Sequence, residues 1–338
     1  MAKKRVLVLL RDYPQLSQTY KENELKYLWA DFEVRVGSFV PAETPYRQHF
    51  PFDALRTRTD IVQLVRDFRP DVIHGHYLHT LDVLAFASEA GGGVPFTVRT
   101  HSFDVIARAP EHLAKWAPYA ARSTCLGVLA FPFLRPVLER AGIPPGRIVD
   151  DWPVVDFGRF HDAGPNGEAI VNTGACIPKK NMESYIDLAT MVPERRFLFC
   201  PIGYQRDKLV EYNTRNGDAV RILETVEPDA MPPIYKSAQW LVYTANPRLP
   251  TIGWPMAVAE AQASGCGVLV QRVRPDLVEY VGPGGHCFDS LEEAAEILRQ
   301  PYPEAMRARG FEHARRSDIR VNIRKLHALW GFGSPGHA

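Results

Sequence analysis

Short apolar runs alternate with longer amphipathic stretches along nearly all of this 338-residue chain. That alternation constrains the fold more than any other feature. Residues 6–10 (VLVLL), 32–40, 71–76 (DVIHGH), 96–100 and 126–130 read as strands. Between them, 20–29, 60–68, 78–89, 112–121 and 133–141 read as helices, with Ser17 or Thr19 placed to cap the first. Strands separated by helices pair in parallel, which wraps helices over both faces of a sheet. Pro144-Pro145-Gly146 and Gly164-Pro165-Asn166-Gly167 flank residues 148–160, the best candidate for a connection between domains. The alternation then restarts. Strands are expected at 169–173, 197–201, 220–223, 240–243 and from 268. Helices are expected at 181–191, capped by Asn181, and at 207–212, 230–238, 256–264, 291–298 and 319–330. The length exceeds what one core usually holds, so two parallel α/β domains are expected. Open sheets of this kind bind ligands at the carboxyl ends of their strands.

Composition narrows the partners. The chain is 46% hydrophobic and 23% charged, with a formal net charge of +1, so no global field favours nucleic acid. Cys125, Cys176, Cys200, Cys266 and Cys287 show no C-x-x-C spacing and read as reduced core thiols of a cytoplasmic protein. The start MAKKR leads into an apolar run too short for a signal peptide, and no run is long enough to span a bilayer. Membrane association is expected to be peripheral at most. The tail GFGSPGHA reads as loose.

Residues 251–270, TIGWPMAVAEAQASGCGVLV, carry the densest signal. Gly253 suits a tight turn. Pro255 suits the first helical position, where its missing N–H costs nothing, and Gly265 suits the stop. Glu260 is the one ionisable group in this small-residue helix. It is either solvated or met by hydroxyl or N–H groups, because a carboxylate enclosed without partners is costly. Lys179 and Lys180 stand at a strand–helix junction, which suits an anion; a solvated pair is the plainer alternative. His74, His76 and His79 invite a metal reading. No Asp, Glu or Cys cluster stands close to them in sequence, so core or cleft histidines are the default. His101 follows a strand end, where functional side chains gather.

Five ordered segments carry a family resemblance. DYPQLSQTYKENELKYL (12–28) is similar to YP-x-LSETF-x-x-x-E-x-x-x-L, an opening of exopolysaccharide transferases. DVIHGHY and THSFDV resemble D-I-I-H-A-H-F and T-x-H-G-x-D. WPVVDFGRF (152–160) resembles N-G-V-D-x-x-x-F, which begins a second domain. TGACIPKKN (173–181) resembles V-G-R-L-V-x-x-K-G. IGWPMAVAEAQASGCGVLV resembles E-G-x-P-x-x-x-x-E-A-M-A-x-G-x-P-V-V. Together they resemble the GT-B glycosyltransferases, specifically the large retaining family 4.

The resemblance implies an α/β fold of two Rossmann-like domains facing across a cleft. Residues 1–155 would be the acceptor domain and 156–315 the nucleotide-sugar donor domain. Residues 316–338 would be a C-terminal helix packing back on the first. It implies a hexosyltransferase-like enzyme that moves a sugar from a nucleotide-diphosphate donor to an acceptor hydroxyl, with retention. The acceptor would be a saccharide, a lipid-linked or polysaccharide precursor, or a natural product. Neither cofactor nor metal is implied. Lys180 would neutralise the diphosphate as the leaving group gains charge. Glu260 would bind the ribose, with Gly253 and Pro255 on the donor loop. His101 would meet the donor sugar and Asp104 would orient it. Ser17, Thr19 and Arg11 would reach the phosphates or acceptor from the first loop. Two positions depart from the pattern. The first Glu of E-x7-E falls at Ile252, and the arginine that partners the lysine falls at Ala175. Arg11, Lys179 and Arg206 are candidates to replace that cation. The alternative is a weak or inactive relative acting as a nucleotide-sugar-binding or partner subunit.

Overall fold

The computed structural model describes residues 3–203 and 205–332, so the expectation of a loose tail falls, from residue 333, outside the described residues. The chain divides into two compact units. One takes the chain up to Val154 together with everything from Ile319 onward, and the other is Val155–Asp318.

The first unit holds β1 (Arg5–Asp12), β2 (Glu33–Val40), β3 (Asp53–Ala54), β4 (Val72–His76), β5 (Phe96–Arg99), β6 (Cys125–Ala130) and β7 (Ile148–Asp150). They form one parallel sheet in the order β3-β2-β1-β4-β5-β6-β7. The second unit repeats the plan with β8 (Ala169–Ala175), β9 (Phe197–Ile202), β10 (Val220–Ile222), β11 (Ala238–Tyr243), β12 (Gly267–Gln271) and β13 (Gly285–Phe288). Their order is β10-β9-β8-β11-β12-β13, again parallel throughout. In each sheet the order reverses beside the first strand, between β1 and β4 and between β8 and β11. Loops leaving those two strand ends diverge and open a crevice there.

Several local expectations are corrected. Neither Ser17 nor Thr19 caps the helix Thr19–Asp31; its N-cap is Gln18, without a side-chain bond. Asn181 is not a helix cap either. It adopts a left-handed φ of 44° that ends a short turn, and the helix Glu183–Met191 starts from Met182. Pro255 is the N-cap of the helix Met256–Ala263, one position earlier than expected, where its missing N–H is equally harmless. The stretch 112–121 is not one helix but two, Pro110–Ala114 and Ala117–Ala120, since Pro118 supplies no N–H to carry the ladder through. Strand β13 was hidden by its glycine-rich start. A Cβ at Gly285 would stand 2.2 Å from the Val268 carbonyl oxygen, so the close strand pairing requires glycine there.

The helix Ile319–Leu329 completes the first unit's core. Ile319, Ile323, Leu326 and the following Trp330 are buried with Val6, Val8, Leu10, Leu25 and Leu28. Trp330 Nε1 donates to Thr97 Oγ1 at 3.0 Å, and Lys325 donates to the Asp150 carbonyl at 3.0 Å. Leu326→Ala is expected to destabilise this unit by about 2–5 kcal/mol, the usual cost of a buried leucine cavity. Urea unfolding followed by probes in each unit checks it; an unchanged midpoint for the first unit would refute the helix's part in that core.

Candidate active site

At the carboxyl ends of β4 and β5 the first unit gathers charge inside its core. Glu24, on the helix Thr19–Asp31, is 1% exposed. Its Oε2 accepts from Arg99 Nε at 2.7 Å. The same guanidinium pairs with Asp151, and Lys325 reaches Asp151 at 3.1 Å. Burial alone pushes the Glu24 carboxyl up, but the Arg99 guanidinium, with the His74 and His76 rings beside it, outweighs that and holds it well below its ordinary value. His74 Nε2 lies 2.7 Å from Glu24 Oε1, off the hydrogen-bond line, and His76 Nε2 lies 3.4 Å from it.

His101 sits just past β5, half-buried against this network. Its Nε2 is 2.9 Å from His76 Nδ1, and the two rings meet edge to edge, 9° from parallel with centroids 5.2 Å apart. Tyr20 covers His101 at 4.0 Å, with its hydroxyl 2.5 Å from that of Tyr77. Burial lowers the His101 pKa well below 6.5, helped by nearby His76, Arg99 and Lys21. Asp104 does not reach the ring. Its Oδ1 accepts from the His101 backbone N–H at 2.7 Å and its Oδ2 from the Leu78 N–H at 2.5 Å. It therefore ties the ends of β4 and β5 together, and burial raises its pKa to about 7. The ring is held by His76 instead. Tyr77 has φ 76° and ψ 133°, a backbone region unfavourable to a side chain, at a cost of about 1–3 kcal/mol.

Lys21, fully buried, bonds Asp12 through the carbonyl at 2.6 Å and Oδ1 at 2.7 Å. Burial lowers it to about 8. Arg11 is exposed at the end of β1, close enough to lower both Lys21 and His79. Ser17 and Thr19 are partly exposed on the loop after β1 and at the start of the following helix.

In the second unit Lys180 ends the turn after β8. Its carbonyl accepts from Thr244 Oγ1 at 2.9 Å, which pins the turn to the end of β11. Its Nζ lies over the Tyr243 ring at 5.3 Å and beside Gly174, where a Cβ would stand 2.4 Å away. Gly174 has φ +117°, so glycine is needed twice over. Among the described residues no carboxylate pairs with Lys180. Burial, with Lys179 adding, lowers its pKa to about 8. The position expected to carry arginine is buried Ala175, but Arg206, opening the helix after β9, acts with Lys180 on the Cys176 thiol.

Glu260 is 8% exposed and its Oε2 accepts from the Tyr235 hydroxyl at 2.8 Å. Burial raises its pKa against that bond and the nearby Arg159. Ile252 is buried, and its carbonyl is taken by Arg274. Arg274 also holds the Pro250 carbonyl at 2.9 Å and grips Asp276 with both Nε and Nη2. Trp254 donates to Asp276 at 2.9 Å and stacks on Tyr280, whose hydroxyl bonds the Pro255 carbonyl at 2.6 Å. The loop bearing Gly253 and Pro255 is thus clamped from the helix Asp276–Val281.

Sequence reasoning missed Glu24, Arg99, Asp151, Tyr77 and Tyr235. Of the two acidic positions of the opening pattern this chain keeps only the second, Glu24, and Arg99 was a charge inside an apolar strand; both signals were there to be used.

Residues 5–143 match the family model described as a glycosyl transferase 4-like domain. Comparison with curated protein sequences returned no match. Among similar solved structures is HepE of Anabaena in complex with UDP-glucose, with TM-score 0.78 and 16% identity over 97% of this chain and 99% of that one. Another is sucrose-phosphate synthase from Thermosynechococcus elongatus, with TM-score 0.71 and 15% identity over 97% and 98%. A glycosyltransferase from Rickettsia africae gives TM-score 0.66 and 14% identity over 97% and 98%.

Arg99→Met strips Glu24 of its cation, leaves Asp151 with Lys325 alone, and is expected to cost about 3–5 kcal/mol at pH 7. In the parent the depressed Glu24 pKa gives stability that is present above the unfolded carboxylate range and lost as pH falls through the folded value. Glu24 in the variant has a raised pKa instead, so the deficit should shrink toward about pH 5. Denaturant titrations at both pH values check this; a deficit that grows on acidification would contradict it.

Proposed function

We propose that this chain, a glycosyltransferase whose first domain is of the glycosyl transferase 4-like kind, transfers a hexosyl group from a UDP-sugar to an acceptor hydroxyl, with retention and without a metal. The observation that carries the reading is the unpaired Lys180 ammonium at the switch point of the second sheet. Glycine at 174 clears its approach, and Arg206, paired with Glu224 at 3.7 Å, acts on the same Cys176 thiol as Lys180. A departing diphosphate needs positive charge at that place. UDP is the favoured nucleotide because HepE, similar over nearly the whole chain, binds UDP-glucose.

Glu260 is assigned to the ribose hydroxyls. The Tyr235 hydroxyl fixes one of its oxygens, which orients the carboxylate for the other to accept. His101 is assigned to the sugar, and Ser17, Thr19 and Arg11 to phosphate or acceptor. The loss of glutamate at 252 leaves a loop that Arg274 and Tyr280 keep rigid, so the main chain there is preserved for a donor.

Metal independence is supported by charge. Glu24, His74 and His76 place three ligand atoms within 4.8 Å of one another. Yet the carboxylates Glu24 and Asp151 are already matched by Arg99 and Lys325. A dication would leave the cluster with two uncompensated charges in a low-dielectric interior, which is strongly unfavourable.

Lys180→Met and Glu260→Ala are each expected to weaken UDP binding about ten- to a hundredfold, the range for one charged hydrogen-bonding group. Isothermal titration reads this; unchanged affinity in both variants overturns the assignment. Lys180 is charged below its pKa of about 8 and loses its proton above it. Affinity for UDP should therefore fall as pH rises from about 7 to 9, approaching tenfold per unit, with proton uptake on binding. Lys180→Met should be weak and flat over that range. Turnover should survive chelation of metals, and the product should keep the donor's anomeric configuration by proton NMR.

A further inference from the structure

A histidine that meets a ligand in one defined way needs something to fix which nitrogen carries its hydrogen. The surroundings of His101 supply a chain of donors and acceptors with one consistent solution. Glu24 is ionised beside Arg99, and an ionised carboxylate only accepts. His76 Nε2 lies 3.4 Å from Glu24 Oε1 without a directed hydrogen bond, and since a nitrogen lone pair facing that anion would be repelled, the hydrogen sits on Nε2. His76 is neutral, burial outweighing the pull of Glu24, so its Nδ1 keeps a lone pair. His101 Nε2 lies 2.9 Å from that lone pair and must be the donor. His101 is neutral as well, which leaves its Nδ1 an acceptor. The two imidazoles lie within 9° of parallel with centroids 5.2 Å apart, an edge-to-edge arrangement that fixes the ring plane at the same time.

We propose that Glu24 and His76 are positioning residues that hold His101 as its neutral Nε2–H tautomer, so that the ring meets a ligand only as a hydrogen-bond acceptor. The proposal rests on the assignment of His101 to the sugar, and it names the chemistry recognised there. A sugar hydroxyl can donate to such a ring. A carboxylate, as on a uronic acid, cannot.

The chain runs further. Arg99 is steadied by Asp151, and Asp151 by Lys325 on the helix Ile319–Leu329. The orientation of His101 is therefore anchored in the unit's core and does not depend on the loops around it.

The test uses the full chain with nitrogen-15-labelled histidine. Two-bond proton–nitrogen spectra at neutral pH, with His101 assigned from its loss in His101→Gln, should show Nε2 protonated and Nδ1 bare. A protonated Nδ1 in the parent protein overturns the proposal outright and needs no variant to fold. His76→Leu removes the acceptor, and His101 should become a mixture of tautomers. Its kcat should fall on the order of ten- to a hundredfold with little change in donor KM, as when a functional imidazole loses its orienting partner. His76→Gln offers an amide oxygen to His101 and an amide N–H to Glu24. It should keep the tautomer and stay within roughly threefold of the parent kcat. Equal loss in the leucine and glutamine variants would assign the effect to packing and overturn the positioning role. The spectra are taken without substrate. A parent protein that transfers no sugar would therefore defeat the functional reading, while the tautomer measurement still judges this one.

Discussion

A carboxylate enclosed by protein is tolerable only beside a cation that shares its enclosure. Glu24 and Arg99 are that pair, and much of the first unit is arranged around them. Arg99 ends β5, Glu24 comes from the helix after β1, Asp151 follows β7, and Lys325 comes from the last helix. Four chain segments distant in sequence must converge before all of these charges are satisfied. The histidines of β4 then take their places against the same carboxylate, and His101 takes its place against them.

The second unit follows the opposite rule at the corresponding place in its sheet. There the buried-side charge is left unanswered. Lys180 is drawn over a strand end that only glycine permits, with no carboxylate to meet it among the described residues. Burial, with Lys179 beside it, depresses the ammonium's pKa. The first unit thus maintains a matched network, while the second holds a cation that no described carboxylate meets. Glu260 is intermediate. Tyr235 satisfies part of it, and it keeps slight exposure.

The two departures from the family pattern read differently in three dimensions. At Ile252 the lost carboxylate has no replacement. The loop's shape is kept by Arg274, Trp254 and Tyr280, which stand more than twenty residues further on or pack on one another, so no local pattern announces the clamp. At Ala175 the lost cation has a neighbour in Arg206, supplied by the adjacent strand's loop. Asp104, expected to orient His101 because of its three-residue spacing, binds backbone N–H groups instead. Spacing of three at a helix start is also the geometry of a cap, and the cap prevailed.

The parallel α/β plan of both units was determined by the sequence alone. Apolar period and glycine–proline punctuation act within a few residues, and they are visible without any partner. The sequence also put Lys180 between a strand and a helix, Glu260 inside a helix and His101 just past a strand, where the structure has them. What only the tertiary structure decided is who faces whom. Whether Glu24 is ionised, which nitrogen of His101 carries hydrogen, and whether Lys180 has a partner are all set by groups brought near from elsewhere in the chain. Electrostatic energy depends on distance and burial, and neither is written in the order of residues.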